Sequence, residues 1–154
     1  MRFWRIYNSR YAAPLSGEGA RLYGGRWNPK GMAVLYLADS PALAMLEILA
    51  RAPSFQQTRN YRAAEVEIDA RHLPSFLPRS LPPGWDAEPV AEASQAFGRE
   101  QFFEHERLGF RIPSVVVPLQ ENAAILTSHE AFRTTVRLIR DDIPCPFDRR
   151  LIQD

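Results

Sequence analysis

Residues 33–50 restrict the fold more than any other stretch. Ala33 to Ala38 is a nearly continuous apolar run around Tyr36, and Ala42 to Ala50 is apolar at every position except Glu47, with Asp39-Ser40-Pro41 between them. A short apolar run bounded by turn residues fits a strand buried on both faces. Ser40 before Pro41 is a helix start, because proline lacks an N–H that the first turn leaves unpaired and brings a φ already suited to the helix. The expectation is a buried strand leading directly into a buried helix that ends before Pro53. A helix apolar nearly all round must be covered on most sides, and it carries Glu47 inward. Two placements of Glu47 fit: a narrow exposed stripe with Ser40 and Arg51, or a pairing with an arginine or a ligand hydroxyl beside a cleft. The second answers the high cost of an unpaired buried carboxylate.

A chain of 154 residues is the usual size of one compact domain. Hydrophobic residues make up 45% and charged residues 24%, which argues against disorder, and a net charge of +1 provides no electrostatic footprint for nucleic acid. Lys30 is the sole lysine; the many arginines suit phosphate or carboxylate recognition and equally reflect compositional bias. Cys145, the single cysteine, has no partner for a disulfide or a thiolate metal site, so a reducing cytoplasm is expected. The N-terminus lacks an apolar run of signal-peptide length, and nothing approaches the roughly 20 apolar residues that span a bilayer. A soluble protein, unexported and not membrane-bound, is expected.

Phe3 to Tyr7 alternates as a first strand, and the Gly-rich stretch Asn8 to Gly31 reads as a long ordered loop, a kind of segment that usually carries function. Tyr61 to Ile68 alternates again, with Ala64, Val66 and Ile68 on one face and Glu65 and Glu67 on the other. Proline is so frequent from Leu73 to Pro89 that a surface excursion is expected there. Pro89 to Gly109 carries a helical pattern with a break at Gly98, Pro113 to Pro118 reads as a third buried strand, and Ala123 to Leu126 and Thr134 to Ile139 as two shorter ones.

Within this framework Gly24-Gly25 permits a tight turn that aims Arg26 at an anion, or simply leaves a surface arginine stacked on Trp27. Arg5 reads more readily as a solvated strand residue. Tyr36 is a core tyrosine or a platform for an aromatic ligand ring. Ser114 has no nucleophile elbow around it. His72, His105 and His129 lack metal-ligand spacing, so no metal is expected. Leu22 stands where a dinucleotide fingerprint needs glycine, and no phosphate-binding Gly-Lys-Ser/Thr loop occurs.

The stretches Gly17 to Gly31, Val34 to Glu47 and Pro113 to Pro118 followed by Glu121-Asn122 together resemble the RES-domain family, named for its arginine, glutamate and serine, over nearly the whole chain. The resemblance implies an α+β fold: a single ADP-ribosyltransferase-like domain over residues 1–154, with split, mostly antiparallel sheets flanked by helices around an NAD cleft. It implies a toxin of a bacterial toxin–antitoxin pair that degrades NAD by hydrolysis or phosphorolysis. Its partner would be an Xre-like helix-turn-helix antitoxin, in a complex that can hold the toxin as a homodimer. The family's arginine falls on Arg26, its tyrosine on Tyr36, its glutamate on Glu47 and its serine on Ser114, with Arg5 matching a further arginine near the cleft. Arg26, Tyr36 and Glu47 are thereby expected to be catalytic, and Arg5, Arg26, Trp27, Tyr36, Ser114 and Asn122 to contact NAD. One departure is Leu126-Thr127-Ser128-His129, where members often carry Asn-Pro-x-His.

The chemistry suits a lone carboxylate. Glycoside hydrolysis ordinarily needs a second carboxylic acid to protonate the leaving oxygen, whereas nicotinamide leaves already neutralised. Glu47 would hold a ribose hydroxyl and stabilise charge on the sugar, Arg26 would face the pyrophosphate or the nearby ribose, Tyr36 would pack on the nicotinamide or its ribose, and Arg5 and Ser114 would help hold the phosphates or the nicotinamide amide. Two rivals remain: a mono-ADP-ribosyltransferase acting on a protein, and a silent binding module in which Arg26 and Glu47 form a structural ion pair.

Overall fold

The computed structural model describes residues 1–51 and 60–152. Six strands, β1 (Arg2–Asn8), β2 (Val34–Ala38), β3 (Tyr61–Ile68), β4 (Gly109–Pro113), β5 (Glu121–Leu126) and β6 (Val136–Pro144), form one antiparallel sheet in the order β4-β5-β2-β1-β3-β6. The helices are α1 (Glu18–Tyr23), α2 (Pro41–Leu49), α3 (Glu92–Phe103) and the single turn α4 (Phe132–Thr135).

The sheet is almost cut in two. Most neighbouring strands are zipped over five or more residues, but β1 and β2 meet at one register pair, Trp4 opposite Ala38. The expected pair of split sheets is thus one sheet with a seam. On one face a single cluster including Phe3, Leu35, Leu37, Val66 and Ile125 crosses that seam. On the other face the core divides: one cluster gathers Trp27, Val34, Phe110 and Ala124, another gathers Ile6, Ala38, Leu43 and Ala44. The gap between these two clusters is where the fold leaves room for a ligand.

The strand and helix expected at residues 33–50 are both present. Ser40 caps α2, its Oγ accepting from Leu43 N at 3.1 Å, with Pro41 in the first turn. Glu65 and Glu67 lie on the wet side of β3, where Arg2, Arg137 and Arg140 pair with them across the sheet.

Elsewhere the structure departs from the sequence reading. The stretch Asn8 to Gly31 is not all loop, since α1 forms inside it. The segment from Leu73 to Pro89 is more than a surface excursion: Leu73 and Leu81 are buried, and Ser75 bridges Arg111 beside β4. The buried strand expected from Pro113 to Pro118 is instead β4, Gly109–Pro113. Ser114 Oγ accepts from Val116 N and Val117 N, which turns the chain out of the sheet and leaves Val115 and Val116 exposed. Thr134 and Thr135 belong to α4, and β6 runs on to Pro144. Gly98 does not break α3; it sits inside the helix where the Trp27 backbone approaches, and a Cβ there would lie 1.8 Å from Trp27 O. Rigid backbone on both sides cannot absorb that overlap. Gly98→Ala is expected to destabilise the fold by about 3 kcal/mol or more, read as a lowered midpoint in urea denaturation.

Candidate functional site

A cavity of about 430 Å³ opens at the seam, between β1, β2, α1 and α2. Arg5, Tyr36, Glu47 and Asn122 line it, together with Tyr23 of α1 and Arg51 just beyond α2. It is within the size range of small-molecule sites.

Glu47 sits at the wall with its side chain 20% exposed, so both placements that fit the sequence contribute: one edge reaches Arg51, the other turns inward. Its Oε1 accepts from Ser114 Oγ at 2.9 Å and from Asn122 Nδ2 at 2.6 Å, while Oε2 has Arg51 Nη2 at 3.9 Å. Ser114 is fully buried and already accepts two backbone N–H bonds, so its hydroxyl hydrogen is available to Glu47. The amide of Asn122 leaves its Oδ1 buried without a partner among the described residues. A buried orphan acceptor costs about 1–3 kcal/mol.

Arg5 of β1 is among the residues that line the cavity, and its Nη1 donates to Pro14 O at 2.7 Å. Burial pushes its pKa down to about 10, and among the described residues no carboxylate pairs with it. It is a cation with unfilled capacity for an anion. Tyr36 has a buried hydroxyl that donates to Asn28 Oδ1 at 2.7 Å and accepts from Trp27 N at 3.0 Å. Burial holds this phenol neutral, well above the ordinary tyrosine range. Gly25 makes the contact possible, because a Cβ there would stand 2.7 Å from the Tyr36 hydroxyl.

Three residues of the expected site lie elsewhere. Arg26 does not line the cavity; its Nη1 donates to Trp85 O and Ala87 O, both at 2.8 Å, and its Nη2 reaches Glu88 at 3.3 Å. The turn at Gly24-Gly25 aims it at the 85–88 segment and away from the ligand space. Trp27 is buried against Trp85, Phe97 and Phe110 as a core aromatic. Ser114 lies behind Glu47. The structural ion pair between Arg26 and Glu47 imagined for a silent module does not form. His129 accepts from Ala131 N through Nδ1 and lies 3.1 Å from Glu106 O through Nε2, which makes it a turn residue outside the cavity. Among the lining residues not expected at the site are Arg51, which the sequence reading had placed only on an exposed stripe, and Tyr23. Arg51 had a signal in its i,i+4 spacing from Glu47, whereas Tyr23 had none, because the helix that carries it was read as loop. Among the described residues no three His, Cys, Asp or Glu side chains gather as metal ligands, and no helix is long and apolar enough to cross a membrane.

The RES domain family matches residues 2–148. This chain belongs to that family. A RES relative from Yersinia enterocolitica, named Toxin Res, is 33% identical over 152 residues, covering 98% of this chain and 99% of its own. The Prs ADP-ribosylating toxin of a Sphingobium species is 38% identical over 133 residues, 82% of this chain and 83% of that protein. The NAD(+) phosphorylase MbcT of Mycobacterium tuberculosis matches locally, at 49% over 43 residues, 27% of this chain and 23% of that protein. A chain in the crystal structure of the M. tuberculosis MbcT–MbcA toxin–antitoxin complex has the same fold, with a TM-score of 0.69 at 22% identity over 91% of this chain and 81% of its own.

Within this RES fold, the raised folded-state pKa of Tyr36 fixes the sign of an alkaline effect. Its contribution to stability is complete below the ordinary tyrosine range and is lost as pH climbs above it, where the unfolded chain releases the proton first. Thermal melts across alkaline pH should show a steeper decline for the parent chain than for Tyr36→Phe. At neutral pH that variant should lose about 1–2 kcal/mol for its two missing hydrogen bonds.

Proposed function

We propose that this RES protein is the toxin of a bacterial toxin–antitoxin pair and that it cleaves the nicotinamide–ribose bond of NAD in the cavity at the seam. The observation that carries this reading is the carboxylate of Glu47. Among the described residues one of its oxygens is held by two donors and the other has no hydrogen-bond donor, in a pocket whose lining also includes Arg5, an arginine with no carboxylate partner among those residues. The names of the Sphingobium and mycobacterial relatives point to the same substrate.

In this reading the bond from the ribose C1′ to the nicotinamide nitrogen breaks, and its electron pair cancels the ring's positive charge. No protein acid is needed for departure. Glu47 accepts a ribose hydroxyl and stabilises the positive charge that develops on the sugar, a preorganised electrostatic role. A water oxygen then bonds to C1′ and its proton passes to solvent, or an anionic phosphate oxygen bonds there with no proton to release. Arg5 takes the pyrophosphate, the role the sequence had suggested for Arg26, and Tyr36 packs its neutral ring on the nicotinamide ribose. Arg26 and Trp27 act at one remove, Arg26 by fixing the 85–88 segment and Trp27 by presenting its N–H to Tyr36. Residues 1–154 would work as a single domain in the cytoplasm. An Xre-like helix-turn-helix antitoxin would restrain it in a complex that can hold two copies of the toxin, in keeping with the toxin–antitoxin complex that shares its fold.

Incubation with NAD, with and without phosphate, should yield nicotinamide and either ADP-ribose or its 1-phosphate by mass. Glu47→Gln should lower NAD loss by at least about a hundredfold while the protein stays folded. Normal consumption by that variant would sink the assignment. Labelled protein in place of free ADP-ribose would identify the activity as mono-ADP-ribosylation, which the name of the Sphingobium relative favours.

A further inference from the structure

Asn122 stands near the start of β5, opposite Ala38 of β2 and Ile112 of β4, so ladders on both sides fix its backbone. A carboxylate only accepts hydrogen bonds. The 2.6 Å contact to Glu47 therefore sets the amide's orientation: Nδ2 faces Glu47, and Oδ1 is turned into a buried place with no partner among the described residues. Rotating the amide by half a turn would set two acceptors against each other. The orphan Oδ1 is thus the consequence of serving Glu47, and a buried unpaired acceptor calls for such a reason. Ser114 completes the bracket from the other side. With two donors on Oε1 and, among the described residues, only Arg51 at 3.9 Å from Oε2, the two oxygens of Glu47 are unequal.

We propose that Asn122 is a positioning residue, which anchors Glu47 through Oε1 and leaves Oε2 as the oxygen that meets the substrate. The proposal rests on the NAD-cleaving reading and moves Asn122 from ligand contact to support of the carboxylate. The charged and titratable groups that line the cavity with Glu47 among the described residues are Arg51 just beyond its own helix, Arg5 from β1, Tyr36 from β2 and Tyr23 from α1. The turn at residues 114–120 offers it only the Ser114 hydroxyl, and β5 only the amide.

Asn122→Asp tests this in the full chain. The introduced carboxyl lies against Glu47, and such a pair shares one proton. With that proton on the introduced group, the donor to Oε1 is restored. The kcat of this variant should approach the parent's on the acid side of neutrality and fall as pH rises and both groups ionise, an alkaline decline that the parent lacks. Asn122→Leu, which cannot donate, should lose about a hundredfold in kcat at every pH, with KM within about twofold of the parent's. A raised KM with kcat preserved would mean that Asn122 touches NAD directly and would overturn the proposal. Thermal melts supply a readout independent of NAD. The gap between Asn122→Asp and the parent should widen with pH, because the native pair holds a proton that the unfolded chain releases. A gap constant with pH overturns the proposal whether or not NAD is consumed. A parent chain that leaves NAD intact would refute the NAD-cleaving reading alone, and the melts would still decide the role of Asn122. If Asn122→Leu does not fold, the aspartate variant carries both arms.

Discussion

The single register pair between β1 and β2 is the constraint on which the site depends. Every other adjacent pair of strands is laddered over several residues, so each half of the sheet is continuous and, among the described residues, the two halves are joined only at Trp4 and Ala38. A sheet closed there would leave no space between the two apolar clusters on its inner face. With the seam open, backbone and side chains of β1 and β2 face a cavity while the opposite face stays packed across it. The cavity follows from where pairing stops.

The open seam needs a stiff surround, and the turn at residues 114–120 provides much of it. Ser114 binds Glu47 near the end of α2, and Gln120 Nε2 donates to Ser40 Oγ at its start. Asp39 accepts from Glu121 N just before the helix. A helix held at both ends cannot slide along the cavity, so the Glu47 carboxylate keeps its place relative to β2. On the other side, Tyr36, Asn28 and Trp27 N form a chain of hydrogen bonds that ties β2 to the loop before it. Arg26 and the stacked pair Trp27 and Trp85 then fasten that loop to the 85–88 segment.

Much of this architecture was legible in the residue pattern because burial and chain geometry act locally. The apolar run around Tyr36, the Ser40-Pro41 start and the alternation from Tyr61 to Ile68 each express one element's environment, and each element is present. The misreadings share a cause. Val115 and Val116 have strand-forming side chains, but Ser114 competes for their backbone N–H groups. Gly98 looks like a helix breaker until Trp27 is seen against it. In both cases a partner distant in sequence, or a side chain bonding to nearby backbone, overrode local preference.

By itself the sequence determined which residue types were available to the site and their order along the chain: an arginine on the first strand, a tyrosine inside the second, one carboxylate in an apolar helix, and the RES resemblance that links them. Local pattern carries this because it depends on spacing within a single element. Only the tertiary structure decided which groups converge. It brought Arg5 and Asn122 to Glu47 and Tyr36, turned Arg26 to the carbonyls of Trp85 and Ala87, and set Ser114 behind the carboxylate. Those outcomes depend on where one strand pair stops bonding and on contacts spanning dozens of residues, which no spacing within one element encodes.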